Sequence, residues 1–211
     1  LILVAHPGLP AKTLQETIAL SKARPTPLAY GTSGIGGTPH IAGEQLAQRS
    51  GAKLEHVPYK GGGQAIADTI GGSIPLVYTA VAGAQGHVKS GKLKAIAVSS
   101  AQRSSSLPDV PTFIESGLPD FVADSWVGVL APAKTPPAVL AKLNAALNTV
   151  LADPALREKL TVLGIEAQPG TPEQFRELMR RDLAAMLATM RDVGRNQVVS
   201  SEAAGNAILR M

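Results

Sequence analysis

The sequence predicts an α/β fold organised on a parallel sheet. Three observations carry that prediction. Apolar runs of strand length alternate with stretches of helical pattern. The turns from strand to helix are rich in glycine, as βα units require. The 211 residues are 45% apolar and 17% charged, which is enough to bury a core and too little charge for a disordered chain or coiled coil.

The elements follow in order. Leu1–His6 reads as a strand. Thr13-Leu14-Gln15-Glu16 is a capping box, with Thr13 as N-cap and Glu16 reaching back. Its helix runs to about Lys22 and is ended by Pro25 and Pro27. Leu28-Ala29-Tyr30 is a short strand, followed by the glycine-rich loop Gly31 to Thr38. Thr38 is expected to cap the next helix, with Pro39 at its first position, where no N–H is needed. That helix ends near Ser50-Gly51. Leu54–Tyr59 is a strand, Lys60-Gly61-Gly62-Gly63 a turn, and a short helix reaches Ile70 before Gly71-Gly72. Ile74–Tyr78 is a strand, Val81–Ser90 a helix and Leu93–Ser99 a strand.

Residues 100–124, with three consecutive serines and several prolines, read as a surface connection. Trp126–Ala131 is expected to form one more strand. Thr135-Pro136 starts a helix with the stripe Leu140, Leu143, Leu147 and Leu151. Asp153-Pro154 caps the next. Thr171-Pro172-Glu173-Gln174 caps the last, whose stripe is Phe175, Leu178, Met179, Leu183, Met186, Leu187 and Met190. Both stripes read as core faces. The tail from Gln197 has weak periodicity.

Composition excludes several functions. The chain has no cysteine, so disulfides, iron–sulfur clusters, thiolate zinc sites and a Cys nucleophile are ruled out. The two longest stretches without Asp, Glu, Lys or Arg, 25–43 and 69–88, are broken by Gly, Pro and polar residues and do not read as membrane spans. No signal peptide is visible, and the apolar run at Leu1 reads as a strand cut into, so an N-terminal portion is expected to be missing. Residues 17–108 carry nine Lys or Arg against three acids, whereas 109–211 carry ten against twelve. A positive lobe beside a slightly negative one points to an anionic partner for the first. Nucleic acid is not expected, because the basic residues are scattered and Phe, Trp and Tyr number 3, 1 and 3.

The loop 31–38 fails three specific motifs. Gly31-Thr32-Ser33-Gly34-Ile35 breaks the nucleophile elbow at its fifth place. Gly34 to Pro39 breaks the dinucleotide fingerprint at its sixth, and no lysine completes a P-loop. What remains is an anion site of general kind: glycines let backbone approach a ligand, and a helix N-terminus points N–H groups at it. Lys60-Gly61-Gly62-Gly63 repeats the design after the next strand, and in a parallel sheet both turns lie on the carboxyl edge. The same glycines could equally serve tight turns alone. His6, His40, His56 and His87 show no pairing with another His or acid at metal-ligand spacing, so no metal is expected. His40, in the first helical turn, could donate to a ligand, although a lone His is more often structural. Ser33, Thr32, Thr38 and Thr79 could be donors or caps. No acid–base pair or catalytic triad assembles, which favours binding over catalysis.

Several linked segments then resemble one family. Tyr30-Gly31-Thr32-Ser33-Gly34-Ile35-Gly36-Gly37-Thr38-Pro39-His40-Ile41-Ala42-Gly43-Glu44 is similar to a signature of the tripartite tricarboxylate transporter receptors, also called Bug receptors. His56-Val57-Pro58-Tyr59-Lys60-Gly61-Gly62, Gly91-Lys92-Leu93, Leu107-Pro108-Asp109-Val110-Pro111-Thr112, Ser125-Trp126, Leu130-Ala131-Pro132 and Thr135-Pro136-Pro137 match in order. The resemblance covers about Leu1 to Arg195.

It implies a periplasmic-binding-protein-like (type II) two-lobed α/β fold, with one lobe largely complete and the other missing its N-terminal part. Residues 1–11 would be a crossover strand, 12–122 the second, ligand-binding lobe, 123–196 a return to the first lobe and 197–211 a tail. It also implies a periplasmic solute receptor, not an enzyme and without a cofactor, that closes on a small carboxylate and delivers it to the membrane components of a tripartite transporter. The ligand-binding residues carried over are Ser33, Gly34, Gly36, Gly37, Thr38, His40, Gly61 and Thr79. Many relatives have an acid where Thr79 stands, which counts against amine-bearing ligands. Missing partner strands would leave the stripes of 140–151 and 175–190 partly uncovered, which predicts a homodimer, strand exchange or poor solubility. Two alternatives stay open: a folded fragment without ligand function, and an enzyme using the anion cleft.

Overall fold

The computed structural model describes residues 1–193. They divide into two units, Leu1–Ser125 and a second beginning at Trp126. The expected tail at 197–211 lies outside the described residues.

The first unit is built on a five-stranded sheet. Its elements are β1 (Ile2–Ala5), α1 (Leu14–Ala23), β2 (Leu28–Thr32), α2 (Thr38–Ser50), β3 (Leu54–Pro58), α3 (Gly62–Ile70), β4 (Leu76–Thr79), α4 (Val81–Lys89) and β5 (Lys94–Val98). The strand order is β3-β2-β4-β1-β5. β2 runs parallel to β3 and β4, as expected. β1 does not: it lies antiparallel between β4 and β5, with Ile2 opposite both Thr79 and Val98. The sheet is therefore mixed. Alternation fixes the direction of strands joined by a helical crossover, but β1 meets β4 and β5 only through pairing distant in sequence.

Residues alternate across this sheet into two cores. Leu3 and Ala5 of β1, with Leu76 and Tyr78 of β4, face Leu14 of α1 and Leu46 of α2. Ile2, Val4 and Val77 face Ala65 and Ile66 of α3 and Val81 and Ala84 of α4. Burial on both faces explains why β1 reads as an uninterrupted apolar run. α1 keeps half of its expected capping box: the Glu16 N–H donates to the N-cap Thr13 Oγ1 at 3.1 Å, but Glu16 Oε2 accepts from the Lys12 N–H at 2.6 Å, one residue before the N–H that the box engages.

Residues 100–124 correct the expectation of a surface connection. Phe113 and Phe121 are fully buried and stacked, ring centroids 4.6 Å apart. The Val98 N–H donates to Pro111 O and the Phe113 N–H to Val98 O, both at 2.9 Å, so the segment zips along the β5 edge. Its prolines and serines mark irregular backbone; they do not report which side chains turn inward.

The second unit holds α5 (Pro137–Ala152), α6 (Pro154–Val162) and α7 (Pro172–Val193). Trp126–Ala131 forms no strand, contrary to expectation. A strand needs a ladder partner, and an apolar run alone does not supply one. Trp126 instead lays its indole edge-on against Phe175 and donates from Nε1 to Asp182 Oδ2 at 2.7 Å. α5 begins at Pro137, with Asn144 and Asn148 both donating to Gly170 O at 3.0 Å. Its stripe is not a core face, since α5 buries no residue and Leu143 is 49% exposed. The α7 stripe from Phe175 to Leu187 is half-buried.

Candidate functional site

Three helix N-termini meet at one edge of the first sheet. β3, β2 and β4 are adjacent and parallel, so the helices that follow them all start on the same carboxyl edge. The N-caps of α2, α3 and α4 are Gly37, Gly61 and Ala80, and none makes a side-chain cap bond. No first turn carries an acid. Three sets of N–H groups and three positive dipole ends thus face one region without a local carboxylate. Exposed Lys60 adds a charge at the β3–α3 turn.

The expected site residues separate into three tiers. Ser33, Gly36 and Gly37 form the exposed rim of the loop, with Thr38 half-buried. Gly34 (φ 144°) and Gly36 (φ 76°) adopt backbone that L side chains rarely take, so this loop shape requires glycine at both places. A side chain at Gly34 would reach toward Tyr59 O, which puts the loop beside the β3–α3 turn. A Cβ on Gly62 would stand 3.3 Å from Thr79 Oγ1, which puts buried Thr79 against that same turn, next to Gly61. Thr38 is not the N-cap: Gly37 is, and Thr38 opens the helix from inside. Glycine leaves the cap position without a competing hydroxyl, so the first N–H groups of α2 keep no side-chain partner there.

His40 occupies the third tier, beneath the loop. It is 4% exposed, and its Nδ1 accepts from the Gly36 N–H at 3.0 Å. Its Nε2 makes no hydrogen bond and stands 3.7 Å from Glu44 Oε1. The ring stacks on His56 at a centroid distance of 3.9 Å. His56 Nε2 lies 2.7 Å from Thr32 Oγ1, the same hydroxyl that closes on the Gly34 backbone. Buried Tyr30 donates from its hydroxyl to Glu44 Oε1 at 2.7 Å. Burial lowers the pKa of His40 against the opposing pull of Glu44. Burial, followed by the neighbouring His40, lowers His56 to about 4. Burial and then Glu44 raise Tyr30 above its ordinary value.

His56, Glu44 and Tyr30 were missed as parts of this cluster. The sequence carries one signal of it: His40 and Glu44 stand four apart and share a helix face. His56 joins them through the register Tyr30↔His56 between β2 and β3. Among the described residues no group of three or more His, Cys, Asp or Glu could hold a metal ion, and no helix is long and apolar enough to cross a membrane.

Comparison with known proteins agrees with the motif series. The model of the tripartite tricarboxylate transporter family receptor matches residues 1–194. The chain is 34% identical to Protein BugT of Bordetella pertussis over 194 residues, covering 92% of this chain and 60% of that protein. Among solved structures it is similar to R. palustris Rpa4515 with adipate, at TM-score 0.83 and 27% identity over 92% of this chain and 64% of that one. It is also similar to MatC from Rhodopseudomonas palustris with bound malate, at TM-score 0.76 and 28% identity over 89% of this chain and 65% of the other. The fold is thus periplasmic-binding-protein-like, and the chain spans less than two thirds of the length of these relatives. With the loop signature, the ordered motifs and a family match over almost its whole length, this chain belongs to the tripartite tricarboxylate transporter receptors.

Proposed function

We propose that the carboxyl edge of β2, β3 and β4 binds a small carboxylate, as part of a periplasmic solute receptor that passes its ligand to the membrane components of a tripartite transporter. The observation that carries this reading is the convergence of three acid-free helix N-termini on one edge. A carboxylate there replaces water on N–H groups that have no intrahelical acceptor. Ser33, Gly37, Thr38, Gly61 and Thr79 supply backbone amides or hydroxyls to the ligand, while Gly34 and Gly36, whose N–H groups donate to Thr32 Oγ1 and His40 Nδ1, shape the loop against it. His40 serves from beneath the loop. Adipate on Rpa4515 and malate on MatC, both small dicarboxylates, support the ligand class. Residues 1–11 act in this reading as a crossover strand, 12–122 as the second, ligand-binding lobe and 123–196 as the return to the first lobe.

The test is thermal denaturation of the chain with mono-, di- and tricarboxylates, in the wild type and in Thr38→Asp. A ligand at 100 times its dissociation constant adds about 2.7 kcal/mol to stability, a readable upward shift. Asp in the first turn suits the α2 dipole, so the unliganded melt stays within about 1 kcal/mol of wild type. The shift caused by acids disappears in the variant, because the new carboxylate repels them. An undiminished shift in Thr38→Asp would overturn the site. Stability unmoved by every acid would overturn the ligand class, and chemical turnover of a bound acid would overturn a purely binding role.

A further inference from the structure

The ring pair beneath the loop touches it at both ends. His40 accepts from the Gly36 N–H, and His56 contacts the Thr32 hydroxyl that closes on Gly34. We propose that His40 and His56 are positioning residues, a neutral stacked pair that holds the Thr32–Gly36 loop in its carboxylate-binding shape and releases it on protonation. The proposal rests on the carboxylate-binding reading above.

The chemistry follows from the bond directions. An imidazole nitrogen that accepts from Gly36 must carry a lone pair, so Nδ1 of His40 is unprotonated and the ring's one proton sits on Nε2. Protonation at Nδ1 sets a donor against the Gly36 N–H, and that bond is lost. Gly36 sits at φ 76°, where the loop turns, so losing the anchor there frees the turn itself. A second proton, on His56, would put two like charges face to face at a centroid distance of 3.9 Å. Thr32 has one hydroxyl hydrogen, for either Gly34 O or His56 Nε2; a protonated His56 donates from Nε2 and leaves that hydrogen to Gly34 O, so the release falls to the bond between His40 and Gly36.

The titratable groups facing the pair are Glu44 on α2, 3.7 Å from His40 Nε2, and Tyr30 on β2, whose ring centroid lies 5.2 Å from that of His56. Glu44 favours a protonated His40, and burial outweighs it. The pair is therefore neutral near pH 7 and takes up protons below the ordinary histidine value. Coulomb attraction alone would make a charged pair behind the loop strengthen anion binding. Loss of the loop's shape predicts the reverse.

The experiment uses the full chain and two readouts, from about pH 7.5 to about pH 3.5, which brackets the lowered histidine range. The first is hydrogen exchange of the Gly36 amide by NMR without ligand, corrected for the intrinsic effect of pH. The second is calorimetric affinity for adipate and for malate. Both are repeated in His40→Gln/His56→Phe, in which Gln can accept from Gly36 without titrating and Phe preserves a stacked ring. Should the double variant fail to fold, His40→Gln alone carries the comparison. Gly36 protection in the wild type is expected to fall about tenfold across the range, the worth of one hydrogen bond. Affinity relative to the variant falls with it, a ratio that cancels protonation of the acids themselves. Constant Gly36 protection, the same pH dependence in the variant, or affinity that rises in acid would each overturn the proposal. Loosening in the wild type alone, in a chain that binds neither acid at any pH, would support the loop lock and count against the carboxylate reading instead.

Discussion

Gly43 shows how one side chain fixes another's place. Glycine inside a helix ordinarily costs about 1 kcal/mol relative to alanine. On α2 it is required, because a Cβ at Gly43 would fall on the ring of Tyr30, which is 1% exposed. Tyr30 cannot easily retreat, since its hydroxyl donates to Glu44 Oε1 at 2.7 Å and lies against His40 O. Gly43→Ala should therefore destabilise the chain by about 2 kcal/mol despite the better helix former. Urea denaturation checks this through a lower midpoint at unchanged slope; a higher midpoint would mean that the ring gives way. The sequence shows Gly43 only as part of a motif, because the residue that excludes a methyl there lies on a different element. The glycine loop and the turn at Gly61 were legible from their places between strand and helix. The histidine stack was not, since it needs the β2–β3 register to bring His56 under α2.

Elements were legible where their signals are local. Thr13 caps α1 as expected, and Asp153 caps α6 by accepting from the Ala155 N–H at 2.8 Å. Thr171 and Gln174 exchange reciprocal bonds at the start of α7, at 3.2 and 2.8 Å. Thr171→Ala should cost about 1 kcal/mol. Hydrogen exchange should locate the loss in the first turn of α7 and leave the first unit's sheet untouched; protection changes spread along the whole sheet would contradict a local cap. Expectations failed where a distant partner decides the outcome. The direction of β1, the burial of Phe113 and Phe121, and the absence of a strand at Trp126–Ala131 all depend on what the chain meets far away in sequence.

The two units differ in how much they bury. The first carries a sheet covered on both faces, whereas α5 and α6 of the second bury no residue. Residues 1–125, expressed alone, should give a cooperative melt, while 126–211 alone should give a broad one. Calorimetry on the two fragments checks this, and a non-cooperative melt of the first would contradict an independent core. The position of β1 carries a different consequence, one for synthesis. This strand leaves the ribosome before β4 and β5, yet it must lie between them, with Leu3 opposite Tyr78 on one side and Ala97 on the other. Until Thr79 has emerged, a wholly apolar strand waits with both edges open, and until Val98 has emerged it waits with one. The nascent chain is thus most prone to association with its neighbours while it is being made, and any slowing of translation before β5 lengthens that exposure.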